Sequence, residues 1–160
     1  ADAWCCGGHG GSVAPMSHET KGAADGRVRV FARLRPGCEA EEGAGLAVEV
    51  LGQGVRILGA EARDFNFDGV FGGSSTQQEV FAEVGNPVLQ DCLRGVNGAV
   101  LAYGQTGAGK THSLLHQGKD AAEAGLLPRI VAGLFSHIAR HTESLFEVQA
   151  AAVQVYNEQV

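Results

Sequence analysis

The alternation of apolar and polar residues predicts strands in the first half of the chain. Residues 27–33 alternate with the two-residue period of a half-buried strand, and Pro36 follows as a stop. Residues 46–51 and 55–58 predict a short hairpin, because a Gly-Gln-Gly turn separates the two runs. The aromatic sequence FNFDGVF, residues 65–71, predicts a further strand.

Helical periodicity follows these predicted strands. Thr76 and Glu79 match a capping box, and apolar residues then recur at helical spacing as far as Cys92. Pro87 lies inside this pattern and is expected to kink or break the helix. Residues 127–138 predict a second, amphipathic helix with a proline in its first turn.

Two further apolar segments predict a sheet. Residues 99–103, AVLAY, are wholly apolar, as in a buried parallel strand, and they lead into a Gly-rich loop with a helix expected to start within its GKTH end. Residues 146–155 predict a final strand. The order of strands and helices therefore predicts an α/β fold with a central, mostly parallel sheet flanked by helices. This sheet is expected to be incomplete.

Composition predicts a leader segment and excludes some kinds of site. Residues 1–26 are rich in Gly, Ala and Ser and are expected to be a disordered leader. Cys5, Cys6 and His9 lie within it, but their spacing matches no standard zinc pattern. The four cysteines, two of them adjacent, favour reduced thiols over a disulfide framework.

Charge and hydropathy argue against binding to nucleic acid and to membranes. The formal charge is −6 and the 12 Lys and Arg residues are scattered, which argues against a nucleic-acid surface. No apolar run approaches the roughly 18 residues of a membrane span, and the N-terminus lacks a signal-peptide pattern. We therefore expect a cytosolic chain that binds neither nucleic acid nor membrane.

The strongest chemical motif is a phosphate loop. Residues 104–111, GQTGAGKT, match the pattern G-x-x-x-x-G-K-[ST] between an apolar segment and a predicted helix. Its glycines let backbone N–H groups point at phosphate oxygens, and Lys110 adds a cation for the outer phosphates. The Thr111 hydroxyl is the predicted Mg²⁺ ligand. The predicted phosphate-binding residues are Gly104, Gln105, Thr106, Gly107, Ala108, Gly109, Lys110 and Thr111.

Other catalytic patterns are weaker. His112 and His116 are four residues apart, as are His137 and His141, but neither pair has the adjacent Glu of a zinc-hydrolase helix. The second pair is interpreted as a solvated helix face. No GxSxG elbow positions a nucleophilic serine. A Gly-rich turn that matches the phosphate-loop pattern by chance is the alternative, and the surrounding strand and helix signals argue against it.

Several motifs in a definite order extend beyond the phosphate loop. In chain order they are RLRP, FNFDGVF, QQEVF, GVNGAVLAYGQTGAGKTH, GLLPRIVAGLF and VQVYNEQV. Together they make the chain resemble the kinesin motor domain from about Arg27 to the last residue. An unrelated phosphate-loop ATPase or GTPase is the less favoured alternative, because it has no reason to carry the RLRP and YNEQV segments.

The resemblance implies an ATP-dependent motor that moves along microtubules. ATP and Mg²⁺ are then its cofactors, and the microtubule cytoskeleton of the cytoplasm is its location. Carried over by position, the resemblance implies that Arg33, Arg35, Pro36 and His112 flank the adenine. A stacked imidazole or guanidinium plane is physically reasonable there. Without the resemblance, Arg33 and Arg35 would be interpreted as solvent-facing strand ends.

The resemblance also identifies family segments that have no match in these 160 residues. They are the two switch segments that contact the γ-phosphate, the basic microtubule-binding elements and the neck. We therefore expect residues 27–160 to be the N-terminal portion of such a motor domain, truncated before the switches. ATPase activity is expected of the complete protein and not of this portion alone. The alternative is a truncated or degenerate product that binds nucleotide at most.

Overall fold

The computed structural model describes residues 27–37, 48–58, 61–118 and 120–154. The chain divides into two compact units between Thr76 and Gln77. We call the described residues up to Thr76 the strand unit and those from Gln77 onwards the helix unit. The predicted leader with its Cys and His residues, and the end of the last predicted strand, lie outside the described residues.

Five short strands form two small sheets in the strand unit. The strands are β1 Phe31–Arg33, β2 Val48–Leu51, β3 Gly54–Ile57, β4 Arg63–Asn66 and β5 Gly69–Phe71. β1 and β5 pair in parallel, with Ala32 opposite Val70. β2, β3 and β4 form an antiparallel sheet in that order. The predicted hairpin is confirmed, and Gly52 allows its tight turn because a φ of 62° is rare for a residue with a Cβ.

The aromatic segment predicted as one strand forms parts of two strands in different sheets. The chain leaves β4 at Asn66 and starts β5 at Gly69. Between them, the Asp68 carboxylate accepts hydrogen bonds from the Val30 backbone N–H at 2.7 Å and from Arg27 at 2.6 Å. Both bonds favour the charged carboxylate and hold the pKa of Asp68 below its ordinary value. The prediction of a single strand is wrong because this side chain binds backbone outside its own segment.

Aromatic packing and one ion pair join the strands of this unit. Phe71 is buried, and its ring stacks on that of Phe31 with the centroids 6.0 Å apart, which links β5 to β1. Arg56 on β3 binds Asp64 on β4 through two hydrogen bonds of 2.7 and 2.8 Å. Because both partners are largely exposed, this pair supports the strand register more than the stability.

Four α-helices and two single turns form the helix unit. They are α1 Gln77–Val80, a π-helical turn Phe81–Gly85, α2 Asn86–Leu93, α3 Lys110–Leu115, a 3-10 turn Ala121–Glu123 and α4 Leu126–Arg140. α4 confirms the predicted amphipathic helix, with Pro128 in its first turn. α3 confirms the helix expected after the Gly-rich loop. None of these helices is long and apolar enough to cross a bilayer.

Pro87 explains the π-helical turn. Proline has no N–H, and in a regular helix its ring clashes with the carbonyl four residues earlier. Here the Asn86 N–H bonds to the Phe81 carbonyl five residues back, which widens the turn before the proline. The expected disruption is therefore confirmed as a widened turn, after which α2 continues with Pro87 near its start.

The helices pack around a small apolar core. Val80, Leu89, Leu114 and Leu126 are buried and come from all four helices. Gly133 lets α4 approach α2 closely, because a Cβ at this position would lie 2.4 Å from Leu89 Cδ2. This packing holds α3, the helix that follows the phosphate loop, against its neighbours.

Two predicted strands of the helix unit are wrong. Residues 99–103 and 146–154 adopt no regular secondary structure. Leu101 is 65% exposed and Tyr103 is 98% exposed, although the apolar run predicted a buried strand. A buried strand needs hydrogen-bonding neighbours on its edges, and the helix unit has no strand among its described residues. The parallel pairing that the sequence predicts is present between β1 and β5.

Candidate functional site

The conformations of three glycines shape the phosphate loop. Gly104, Gly107 and Gly109 have φ angles of 151°, 82° and 92°, which residues with a Cβ rarely adopt. Between them, the Ala108 N–H donates to the Gln105 carbonyl at 3.1 Å and closes a turn. The glycines of the motif therefore lie where the backbone curls, and any other residue at these positions would strain the loop.

Lys110 is the first residue of α3 and its side chain extends back over the loop. Its Nζ donates to the carbonyls of Gly104 and Gln105 at 2.8 and 2.9 Å. The α3 ladder begins with the Ser113 N–H, which donates to the Gly109 carbonyl at 2.9 Å. Within the loop, the exposed residues are Gln105, Thr106, Gly107 and Thr111, and the partly buried ones are Gly104, Ala108, Gly109 and Lys110. A positive charge and an exposed hydroxyl thus lie at one end of a curled backbone.

His112 follows the loop and is held by Gln77 of α1. Gln77 is only 5% exposed, and its Nε2 donates to the His112 backbone carbonyl at 2.8 Å. The same Nε2 lies 3.3 Å from His112 Nδ1, and the His116 ring lies 4.8 Å from the His112 ring between centroids. The sequence does not predict Gln77 as part of the site, because a polar residue at the start of a helix is usually exposed.

Arg129 of α4 holds the segment between α3 and α4. Its Nε donates to the Ala124 carbonyl at 2.8 Å, and its Nη2 donates to the carbonyls of Ala121 and Ala122 at 3.0 and 2.9 Å. Nη1 donates to the Gln78 side chain on α1. One guanidinium therefore satisfies three carbonyls around the 3-10 turn and links that turn to α1. The amphipathic pattern predicts the helix but does not indicate this role of Arg129.

The other residues predicted to flank the adenine lie in the strand unit. Arg33 ends β1 and is half-buried, and burial lowers the pKa of its guanidinium. Arg35 and Pro36 are exposed. The Leu34 N–H donates to the Phe71 carbonyl at 2.8 Å and extends the pairing of β1 beyond its last residue. The grouping of these three residues with His112 stays a prediction, because His112 belongs to the helix unit.

The second histidine pair, interpreted from the sequence as a solvated helix face, is half-buried and its two rings stack. His137 and His141 are half-buried, with their ring centroids 4.1 Å apart. His141 Nδ1 donates to the His137 carbonyl at 2.8 Å, and Phe146 meets the His137 ring edge-on. Burial, and then the charges of His141 and Arg140, lower the pKa of His137. In the described part of the chain, no group of three or more His, Cys, Asp or Glu residues is placed to hold a metal ion.

The helices, the parallel strand pair and the phosphate loop define an α/β fold of the phosphate-loop NTPase class. A family model described as the kinesin motor domain matches residues 49–160, which is most of the chain. The chain therefore belongs to the kinesin motor-domain family. The RLRP segment lies before the matched region, and the phosphate loop lies inside it.

Individual relatives agree with this assignment. Kinesin-related protein 2 of Dictyostelium discoideum is 35% identical in an alignment 160 residues long. The alignment covers 89% of this chain and 20% of that protein. The kinesin heavy chain of Caenorhabditis elegans is 36% identical over 146 residues, which cover 91% of this chain and 18% of that protein. The chain thus spans about a fifth of the length of these relatives.

A solved structure of a fast kinesin has the same fold. It is 36% identical in sequence with a TM-score of 0.65, and the match covers 71% of this chain and 33% of that one. That structure is described for its implications for ATPase mechanism and interactions with microtubules. The match confirms the predicted fold class, an incomplete kinesin-type phosphate-loop NTPase fold.

Proposed function

We propose that this chain is the ATP-binding portion of a kinesin-type microtubule motor. In the complete protein, ATP hydrolysis drives movement along microtubules, so the protein works on the microtubule cytoskeleton of the cytoplasm. The observation that carries the proposal is the phosphate loop, whose three left-handed glycines and Lys110 lie together at the start of α3. Membership of the kinesin motor-domain family supports the same function.

The loop suits a triphosphate bound with Mg²⁺. A backbone curled by left-handed glycines makes a concave surface of N–H groups that binds anions. The Lys110 ammonium, 2.8 Å from the Gly104 carbonyl oxygen, brings a positive charge to the same place. The exposed Thr111 hydroxyl supplies one oxygen ligand, and Mg²⁺ is usually held by one or two protein oxygens together with phosphates and water. When bound, Mg²⁺ neutralises charge on the outer phosphates.

In this proposal, His112 contributes to adenine binding from the helix unit, and Arg33, Arg35 and Pro36 contribute from the strand unit, as the family resemblance implies. His112 is exposed and directly follows the phosphate loop, which leaves it available to a base bound near the loop. Arg35 and Pro36 are exposed and can present a guanidinium plane and a ring to the base. Arg33 is half-buried at the end of β1.

A second candidate function is nucleotide binding without turnover by these 160 residues alone. Phosphoryl transfer depends on a positioned water and on charge stabilisation beyond the phosphate cradle. The formal charge of −6 also opposes association with an acidic filament. Both points favour a portion that binds ATP and requires further segments of the motor domain for movement.

A Lys110→Ala substitution tests the proposed function. In the full-length protein it should weaken binding of a fluorescent ATP analogue by more than about tenfold, roughly 1.4 kcal/mol, because it removes the cation that lies over the loop. Arg63→Ala is the matched control, since this exposed arginine belongs to β4 of the strand unit. Affinity of the Lys110 variant within about twofold of wild type, roughly 0.4 kcal/mol, would contradict the assignment.

A further inference from the structure

Gln77 has an environment that its polarity alone does not explain. It is the first residue of α1 and only 5% exposed, in a helix whose other buried residue is Val80. Burying an amide costs free energy unless its hydrogen bonds are made, and here Nε2 is directed at His112. The partner lies 35 residues away and directly follows Thr111, the last residue of the phosphate loop.

The hydrogen bonds determine how the amide and the imidazole are arranged. A backbone carbonyl only accepts, so the Gln77 atom 2.8 Å from the His112 oxygen is the amide nitrogen, a donor. The same nitrogen lies 3.3 Å from His112 Nδ1, and a neutral imidazole nitrogen that faces a donor presents its lone pair. The ring proton of neutral His112 is then on Nε2, and the ring has one preferred orientation and tautomer.

We propose that Gln77 is a positioning residue that sets the orientation of the His112 ring for contact with the adenine base. Gln77 contacts both the backbone carbonyl and the ring of His112. The His116 ring, 4.8 Å away between centroids, also packs against the His112 ring. Gln77 acts on the base and not on the phosphates, which belong to the loop and Lys110. This inference rests on the proposed function, because it assumes that His112 contacts adenine.

The test compares a probe with a base and a probe without one in the full-length protein. Gln77→Leu should weaken binding of a fluorescent ATP analogue about tenfold, by loss of the ring's orientation, and should leave competition by Mg²⁺-tripolyphosphate within about twofold of wild type. Gln77→Met is measured alongside in case one variant fails to fold. Gln90→Leu is the matched control, because it makes the same chemical change at an exposed site on α2.

A double substitution separates positioning from packing. In a His112→Phe background the hydrogen bond to the ring no longer exists, while the bond from Gln77 to the backbone carbonyl remains possible. Gln77→Leu should therefore cost little further affinity in that background. An equal loss in both backgrounds would mean that Gln77 only packs α1 against α3, and this would overturn the inference.

A nitrogen NMR spectrum of the histidine rings gives an independent readout without nucleotide. Wild type should show His112 Nδ1 as an unprotonated acceptor, and Gln77→Leu should lose this tautomer preference.

The two proposals fail in different ways. Normal ATP-analogue binding by wild type with unchanged affinity in both Gln77 variants overturns this inference alone. A wild type that binds no ATP analogue contradicts the proposed function, and the inference fails with it.

Discussion

Glycine and lysine contribute to the phosphate loop in different ways. A Cβ at Gly107 would meet no atom within 4 Å, so the penalty for a side chain there comes from its φ of 82°. Such left-handed backbone costs an ordinary residue about 1–2 kcal/mol. At Gly104 a Cβ would also lie 3.1 Å from the Ala108 Cβ. The glycines therefore determine the shape of the loop, and Lys110 determines its charge.

Thr111 is the residue whose proposed role depends on a single atom. Thr111→Ser keeps the hydroxyl and should keep Mg²⁺-dependent nucleotide binding, whereas Thr111→Val keeps the shape and should weaken it. The measurement is a Mg²⁺ titration of fluorescent ATP-analogue binding. Thr142→Val, at another exposed threonine, is the control for the loss of a hydroxyl. A Thr111→Val protein with the wild-type Mg²⁺ dependence would show that the ligand role is wrong.

At the residue scale, the sequence predicts chemistry that depends on local spacing. Eight consecutive residues determine the glycine conformations and the position of Lys110, so the motif predicts both. The role of Gln77 is not predicted by local spacing, because its hydrogen-bond partner His112 lies 35 residues away. The hydrogen bond from Arg129 to Gln78 spans 51 residues and is not predicted for the same reason. Contacts at that separation depend on how helices pack, which periodicity does not specify.

At the scale of elements, α3 is too short to be stable by itself. It has six residues, and isolated helices below about 12–15 residues are marginal in water. Its neighbours hold both ends: Gln77 binds the His112 carbonyl, and the Gly125 N–H donates to the His116 carbonyl at 2.7 Å. A Cβ at Gly125 would lie 2.8 Å from the Leu114 carbonyl atoms, so α4 can start at this place only after a glycine. The short helix α3 is thus stabilised by its contacts with α1 and with the start of α4.

Arg129 makes this support testable at the same scale. Arg129→Met keeps much of the aliphatic stem and removes every donor to the 3-10 turn and to Gln78. It should lower the free energy of unfolding by about 1–3 kcal/mol, since it removes the hydrogen bonds of a charged donor to three carbonyls and to Gln78. Chemical denaturation measures the change. Arg140→Met, at the exposed end of α4, is the matched control and should change stability by less than about 0.5 kcal/mol. Equal losses of stability in the two variants would show that the hydrogen bonds of Arg129 do not stabilise the segment between α3 and α4.

The elements predicted correctly are those whose signals lie within one segment. The hairpin of β2 and β3 has its turn glycine, and α4 has a proline near its start and a continuous apolar stripe. The prediction fails for residues 99–103, because an apolar run becomes a strand only where other strands pair with it. It also fails at Asp68, whose hydrogen bonds to Val30 and Arg27 depend on tertiary contacts.

At the scale of the whole molecule, family membership connects what the two units show separately. The strand unit carries the RLRP segment and the helix unit carries the phosphate loop. Neither unit alone distinguishes a kinesin from another phosphate-loop protein, since the loop is shared by many NTPases. The order of motifs along the whole chain makes that distinction, and the family match over residues 49–160 confirms it.

The charge of the molecule leads to a prediction about filaments. Residues 1–160 alone should neither bind microtubules tightly nor hydrolyse ATP at a motor-like rate. Their formal charge of −6, with scattered Lys and Arg, makes long-range attraction to an acidic filament weak or repulsive. The family's switch segments, which contact the γ-phosphate, have no match in these residues, so an attacking water would not be positioned by them in residues 1–160 alone.

Co-sedimentation with microtubules at low salt and steady-state phosphate release test this prediction. Low salt is the stringent condition, because screening is weakest and any charge attraction is strongest there. The Lys110→Ala variant gives the background of phosphate release, and the full-length protein is the positive control in both assays. Residues 1–160 should remain in the supernatant and should release phosphate at the variant's background rate with or without filaments. Filament-stimulated turnover by these residues would contradict the prediction, because the unmatched switch segments would then be dispensable for the chemistry.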